Sequence, residues 1–228
     1  MKKLFSILLV ISVTGAGLYA QNTFFPSKKG MVLTYADKNA KGKINGYSQL
    51  TIKDVKGSGA NMTILYAGES LDKNRKPSNP PLETSYQVVV KNGVVILDMK
   101  QMFSSVQLKD MDAKMKITGT PMELPGSLKP GQTLKDADAT MTIDMGIMKM
   151  ETVIKLTEGK CLAIEDVTVP AGTYKCHKIT QTATTTFMKK TIVTKTFSWY
   201  APGVGTIKTE TYDAKDKLMG SMELIEQK

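Results

Sequence analysis

Val-Thr-Val-Pro-Ala-Gly-Thr-Tyr-Lys-Cys-His-Lys, residues Val167 to Lys178, sets two β-type runs on either side of Pro170-Ala171-Gly172. Pro170 fixes φ for the first central position of a type I turn. Gly172 can take the positive φ of a bulge residue that closes a three-residue hairpin. In that geometry Val169 pairs with Thr173 and Cys176 faces Asp166. The turn is explained by backbone geometry alone and carries no catalytic signal.

The same grammar extends outward in both directions. Asn92-Gly93 joins Thr84 to Lys91 with Val94 to Asp98, and Asn-Gly is the preferred pair for a type I′ two-residue turn. Pro202-Gly203 places Pro and Gly at the centre of a type II turn between Thr191 to Tyr200 and Thr206 to Tyr212. Further strands are expected over Met31 to Tyr35, Gly46 to Val55, Asn61 to Ala67, Lys114 to Thr118, Ala139 to Asp144, Met148 to Leu156, Cys161 to Val169, Tyr174 to Phe187 and Leu218 to Ile225. Glu69 to Leu82 and Pro121 to Asp138 read as long Pro-containing loops. Met99 to Val106 reads as the one short helix, from the spacing of Met99, Met102 and Val106. Short runs separated by turns, without alternating helices, predict an all-β protein with one curved antiparallel sheet, a half-barrel or partly open barrel.

The N-terminus adds a location. Met1 to Ala20 has the form of a secretory signal, with Lys2 and Lys3 before an apolar run and small residues before a cut after Ala20. No Cys lies near the cut, which argues against a lipid anchor, and no later stretch has the composition of a membrane helix. Residues 21–30 then read as a polar lead-in and 31–228 as one β domain, a length ample for a buried core. The formal net charge of +10 is nearly all lysine, with Arg75 the only arginine. Nucleic-acid readers lean on the bidentate guanidinium, so this charge argues against nucleic acid. It suits a solvated surface or a general attraction to anionic envelope components.

Candidate chemistry is sparse. Cys161 and Cys176 are the only cysteines, and export permits a disulfide between them. A regular hairpin separates them by roughly 17 Å along the strands, beyond the reach of a bridge unless the chain bends near Glu158-Gly159-Lys160. His177 is the only histidine, and neighbours on a strand face opposite ways, so a Cys176–His177 nucleophile pair is disfavoured. No nucleophile elbow is present. The residues give no catalytic, cofactor or metal site. Clustered methionines, Met99, Met102, Met141, Met145, Met148 and Met150, could ligate Cu(I), but fit better an apolar face for a lipid-like ligand.

Three motifs together resemble a known family: Pro130-Gly131 with Leu134 and Asp136, Val169 to Cys176, and Trp199 to Gly205. They resemble the TapB-like family of secreted bacterial proteins (domain of unknown function 3108). The resemblance implies a Gram-negative envelope protein with a strongly curved antiparallel sheet. It is more loosely similar to the half-barrels of lipoprotein carriers. It carries over no catalytic residue. The expected function is therefore a non-enzymatic, exported, periplasmic protein that binds an apolar or amphipathic ligand on a concave sheet face. The alternative is an envelope scaffold that recognises a protein partner through an exposed strand edge, with the Thr-rich runs Thr180 to Thr186 and Thr191 to Thr196 as candidates.

Overall fold

The computed structural model describes residues 23–78, 83–98, 114–146 and 148–228. Met1 to Ala20, the helix expected near Met99, and Met99 and Met102 themselves lie outside these residues. The first strands are β1 (Val32–Asn39), β2 (Ile44–Ser58), β3 (Asn61–Leu71), β4 (Glu83–Lys91) and β5 (Val94–Leu97). Next come β6 (Lys114–Thr120), β7 (Met122–Pro125), β8 (Ala137–Asp144) and β9 (Lys149–Val169). The chain closes with β10 (Gly172–Phe187), β11 (Lys190–Ala201), β12 (Gly205–Asp213) and β13 (Leu218–Gln227). No helix occurs among the described residues.

All thirteen strands form one antiparallel sheet in the order β6-β8-β9-β10-β11-β12-β13-β1-β2-β3-β4-β5-β7. Its two edges are β6 and β7, and these are joined by Pro121 alone. Laid flat, such a sheet spans roughly 58 Å at the usual strand spacing. Yet Thr120 and Met122 lie within about 7 Å of each other, because only two Cα–Cα steps separate them. The sheet must therefore roll until its edges meet, and it forms a nearly closed barrel. Gly119 makes the corner, with φ at 141° and the Asp138 carbonyl packed against its Cα.

The turns follow their chemistry with one shift in register. Asn92 and Gly93 both take positive φ, at 51° and 75°, as a type I′ hairpin requires. Gly172 also has positive φ, but it pairs with Val169, so only Pro170 and Ala171 lie outside the ladder. Cys176 consequently faces Glu165 rather than Asp166. The break expected near Glu158 is instead a bulge inside the continuous strand β9, with Glu158 at φ 55°, a register shift against β10 at Glu158-Gly159 and a second at Leu162. Bulges bend and twist a long hairpin without ending it. The Thr-rich run of β10 is no sheet edge. It pairs with β9 on one side and β11 on the other.

Two buried clusters fill the fold. One joins Ile52, Ile64, Tyr66, Val88, Val95 and Leu124, with Phe24 inserted among them. The other gathers Leu33, Cys176, Trp199, Ile207 and Leu224 where the β9–β10 turn folds back, Ala171 N donating to Leu224 O. Trp199 is held by its Nε1 donating to Glu165 and by Lys178 and Lys208 over its ring.

Candidate ligand site in the barrel interior

Residues 21–30 are not a polar lead-in throughout. From Thr23 the chain runs inside the barrel. Phe24 is fully buried, its ring edge-on to His177 at 4.8 Å between centroids and tilted against Tyr200 at 6.1 Å. Backbone groups entering an apolar interior need partners, and here they have them. Gly203 N donates to Thr23 O, the Thr23 hydroxyl to Phe25 O, and the Tyr66 hydroxyl to Pro26 O at 2.6 Å. This segment forms the wall of a cavity rather than filling the barrel completely.

The cavity has a volume of about 330 Å3 and opens to solvent. Phe25, Leu50, Tyr86, Leu97 and Met222 provide its apolar walls. Ser48, Glu69 and Ser70 bring polar groups to it, from the ends of β2 and β3 nearest the β1–β2 turn. Leu97 also borders a second cavity of about 260 Å3, lined by Met122, Leu156, Gln181, Ala183 and Tyr200. The buried Gln181 Nε2 has no hydrogen-bond partner.

The phenols at the site are neutral. Burial pushes the Tyr86 phenol up to about 12, and it raises Tyr35 further still, with Tyr86, Tyr200 and Tyr174 adding to the shift. These phenols stay protonated at neutral pH. Burial also raises the Asp37 carboxyl, against the lowering effect of a hydrogen bond donated by Ser48 at 2.6 Å. No lysine or arginine lines the first cavity, and Glu69 is its one carboxylate. An anionic group inside would meet no countercharge, whereas apolar surface and neutral polar groups are matched.

The other candidates fall elsewhere. Met141 and Met150 share a sheet face with Leu156, by alternation from Ala137↔Leu156 and Ile143↔Met150. Met145 sits in the β8–β9 turn and Met148 is 47% exposed beside it. None of these four lines the first cavity, whose one methionine is Met222. No group of three or more His, Cys, Asp and Glu among the described residues could hold a metal ion.

Cys161 and Cys176 are both free and buried. The disulfide is absent because Cys161 pairs with Ile179 in the first cluster while Cys176, opposite Glu165, belongs to the second. Each thiol donates to a carbonyl two residues away along its own strand, Ala163 or Tyr174. Burial pushes the Cys176 thiol up to about 11, helped by Asp166 and Glu165, and raises Cys161 as well. Low thiolate content and burial make both inert. Dithionitrobenzoate should therefore label neither thiol rapidly in the native protein and both after unfolding without reductant. Finding no thiol after unfolding would show a bridge.

His177 faces the interior, away from Cys176. Burial lowers its pKa below 6.5, partly opposed by a hydrogen bond with the Leu128 backbone, and Lys175 lowers it further. Its Nδ1 has no partner. Above pH 6.5 the imidazole is neutral in both folded and unfolded chains. As pH falls below 6.5 the unfolded chain takes the proton first, so stability declines until the folded pKa is passed. Urea midpoints compared at about pH 7.5 and about pH 5 should show a smaller acid-induced drop in His177→Phe than in the wild type. An unchanged drop would remove this role.

The comparisons add kinship to this geometry. A family model described as DUF3108-like matches residues 28–224, nearly all the chain that builds the barrel. The chain belongs to the DUF3108-like family. No curated protein matches it. A protein from Bacteroides fragilis, assigned as exported and with a YmcC-like fold, is similar in structure with a TM-score of 0.70 at 21% identity. A protein from Parabacteroides distasonis assigned as a lipoprotein gives a TM-score of 0.72, also at 21% identity. Each match covers 91% of this chain and 99% of the other. At that identity the likeness establishes the shared fold.

Proposed function

We infer that this DUF3108-like protein is an exported, non-enzymatic binding protein whose ligand is apolar or amphipathic and neutral where it is buried. The observation that carries this reading is the open cavity between the N-terminal segment and the sheet, walled by Phe25, Leu50, Tyr86, Leu97 and Met222. Its size lies at the small end of the range for ligand pockets, so it suits one acyl chain or a comparable group. A charged head, if the ligand has one, stays in water beyond Ser48, Glu69 and Ser70. Export rests on the signal-like Met1 to Ala20 and on the assignments of the two structural relatives.

N-phenyl-1-naphthylamine, a neutral apolar fluorophore, provides the test. It should bind with saturable enhancement of emission. Ser70→Trp, which places an indole in the cavity, should weaken binding by about tenfold or more while leaving the unfolding midpoint near wild type. Equal binding to wild type and variant would move the ligand site elsewhere.

A further inference from the structure

The β10–β11 hairpin projects past its neighbour. β12 begins its pairing at Thr194↔Asp213, so Lys190 to Val193 are held only by β10. The tip is apolar and exposed: Met188 at 58%, Ile192 at 60%, with Phe187 and Val193 also open to solvent. Phe187↔Lys190 and Thr185↔Ile192 put Phe187 and Ile192 on one face, while Val193 lies on the other. A protein surface covers one side of a strand. Apolar groups on both faces and at the turn suit a medium that surrounds the tip.

Charge points the same way. Lys189 and Lys190 are exposed at the tip, and no acid lies between Phe187 and Thr194. The adjacent turns at this end of the barrel carry exposed Lys149, Lys215 and Lys217. Of the acids nearby, Asp144 and Asp213 accept backbone hydrogen bonds within their own turns, while Asp216 is exposed between Lys215 and Lys217 and leaves the lysines in excess. The backbone supplies an independent observation. Met188 and Lys189 hold φ at 45° and 69°, a left-handed pair normally given to Asn-Gly. A favourable turn sequence has been passed over in favour of a methionine and a lysine.

We propose that the β10–β11 tip docks the protein on an anionic lipid bilayer, Phe187, Met188 and Ile192 entering the interface and Lys189 and Lys190 meeting the headgroups. The polar ends of β2 and β3 beside the cavity lie toward this same end, so a docked barrel turns these strand ends to the membrane. The proposal stands whether or not the cavity holds a ligand.

The test is co-sedimentation of the mature protein, purified from cells that make it, with vesicles of phosphatidylcholine alone or mixed with phosphatidylglycerol. The decisive variant is Met188→Asn with Lys189→Gly. It installs the preferred turn, so it should unfold at an equal or higher urea concentration, and misfolding cannot explain lost binding. Binding to the mixed vesicles should exceed that to phosphatidylcholine severalfold, weaken with salt, and fall about tenfold in the variant. Equal binding by the variant, or no vesicle binding by the wild type, would overturn the proposal. So would concentration-dependent self-association that the variant abolishes, which would make the exposed β11 edge a strand-pairing site.

Discussion

Replacing Phe24 by alanine should cost about 3–5 kcal/mol, the range for deleting a fully buried aromatic ring. The site is poorly placed to collapse. His177 and Tyr200 meet the ring from β10 and β11, and the segment carrying it is tied through its own carbonyls to the Gly203 N–H and the Tyr66 hydroxyl. The void would persist and adjoin space that is already open. Urea denaturation should show a lower midpoint with little change in slope. A loss under about 1 kcal/mol would mean that the segment contributes little to the core. Tyr66→Phe is a smaller companion change. It leaves Pro26 O without its donor inside the barrel, at a cost of about 1–3 kcal/mol.

Gly119→Ala should be more severe. A Cβ there would lie 2.1 Å from the Asp138 carbonyl oxygen and 2.8 Å from the Ala139 Cα, both backbone atoms that no rotamer change can move. Gly119 also holds φ at 141°, so strain adds to overlap. A loss above about 4 kcal/mol, or failure to accumulate as folded protein, is expected. Gly131→Ala is the control. Gly131 has positive φ at 88° but open space around its Cα, so it should lose only the conformational part, about 1–2 kcal/mol. Comparable losses at the two sites would show that the close approach of β6 and β8 is not what fixes the corner. Amide exchange along β6 should quicken first if it is.

These two residues also mark where sequence reasoning reached its limit. The all-β, strongly curved sheet was legible, because turn chemistry is local: Asn92-Gly93 needs no tertiary information to be read as a hairpin. β7 was not legible. Met-Glu-Leu-Pro is too short to show alternation and becomes a strand because β5 pairs with it. Glu158 looked like a break because a bulge and a turn share the same residue types. Phe24 and Phe25 stood beside polar residues, with no periodicity to announce that the chain would enter the barrel.

The candidate site suffered from the same limit on a larger scale. Alternation says which residues of a strand share a face, yet it cannot tell which strands meet across a barrel. Tyr35 of β1, Tyr86 of β4 and Met222 of β13 converge on one cavity because the sheet curves round between β13 and β4. Their spacing along the chain carries no trace of that. The cysteine separation was nearly right for the right reason. Regular pairing along β9 and β10 keeps Cys161 and Cys176 apart, and the Glu158 bulge does not bring them together.

Native mass spectrometry of the mature protein, isolated gently from the cells that make it and compared with Ser70→Trp, tests the binding role most directly. The cavity predicts a stoichiometric apolar or amphipathic adduct on the wild type, recoverable by solvent extraction and missing from the variant. A wild type that runs at its bare mass, and that retains no lipid after incubation with an extract of its own membranes, would contradict it.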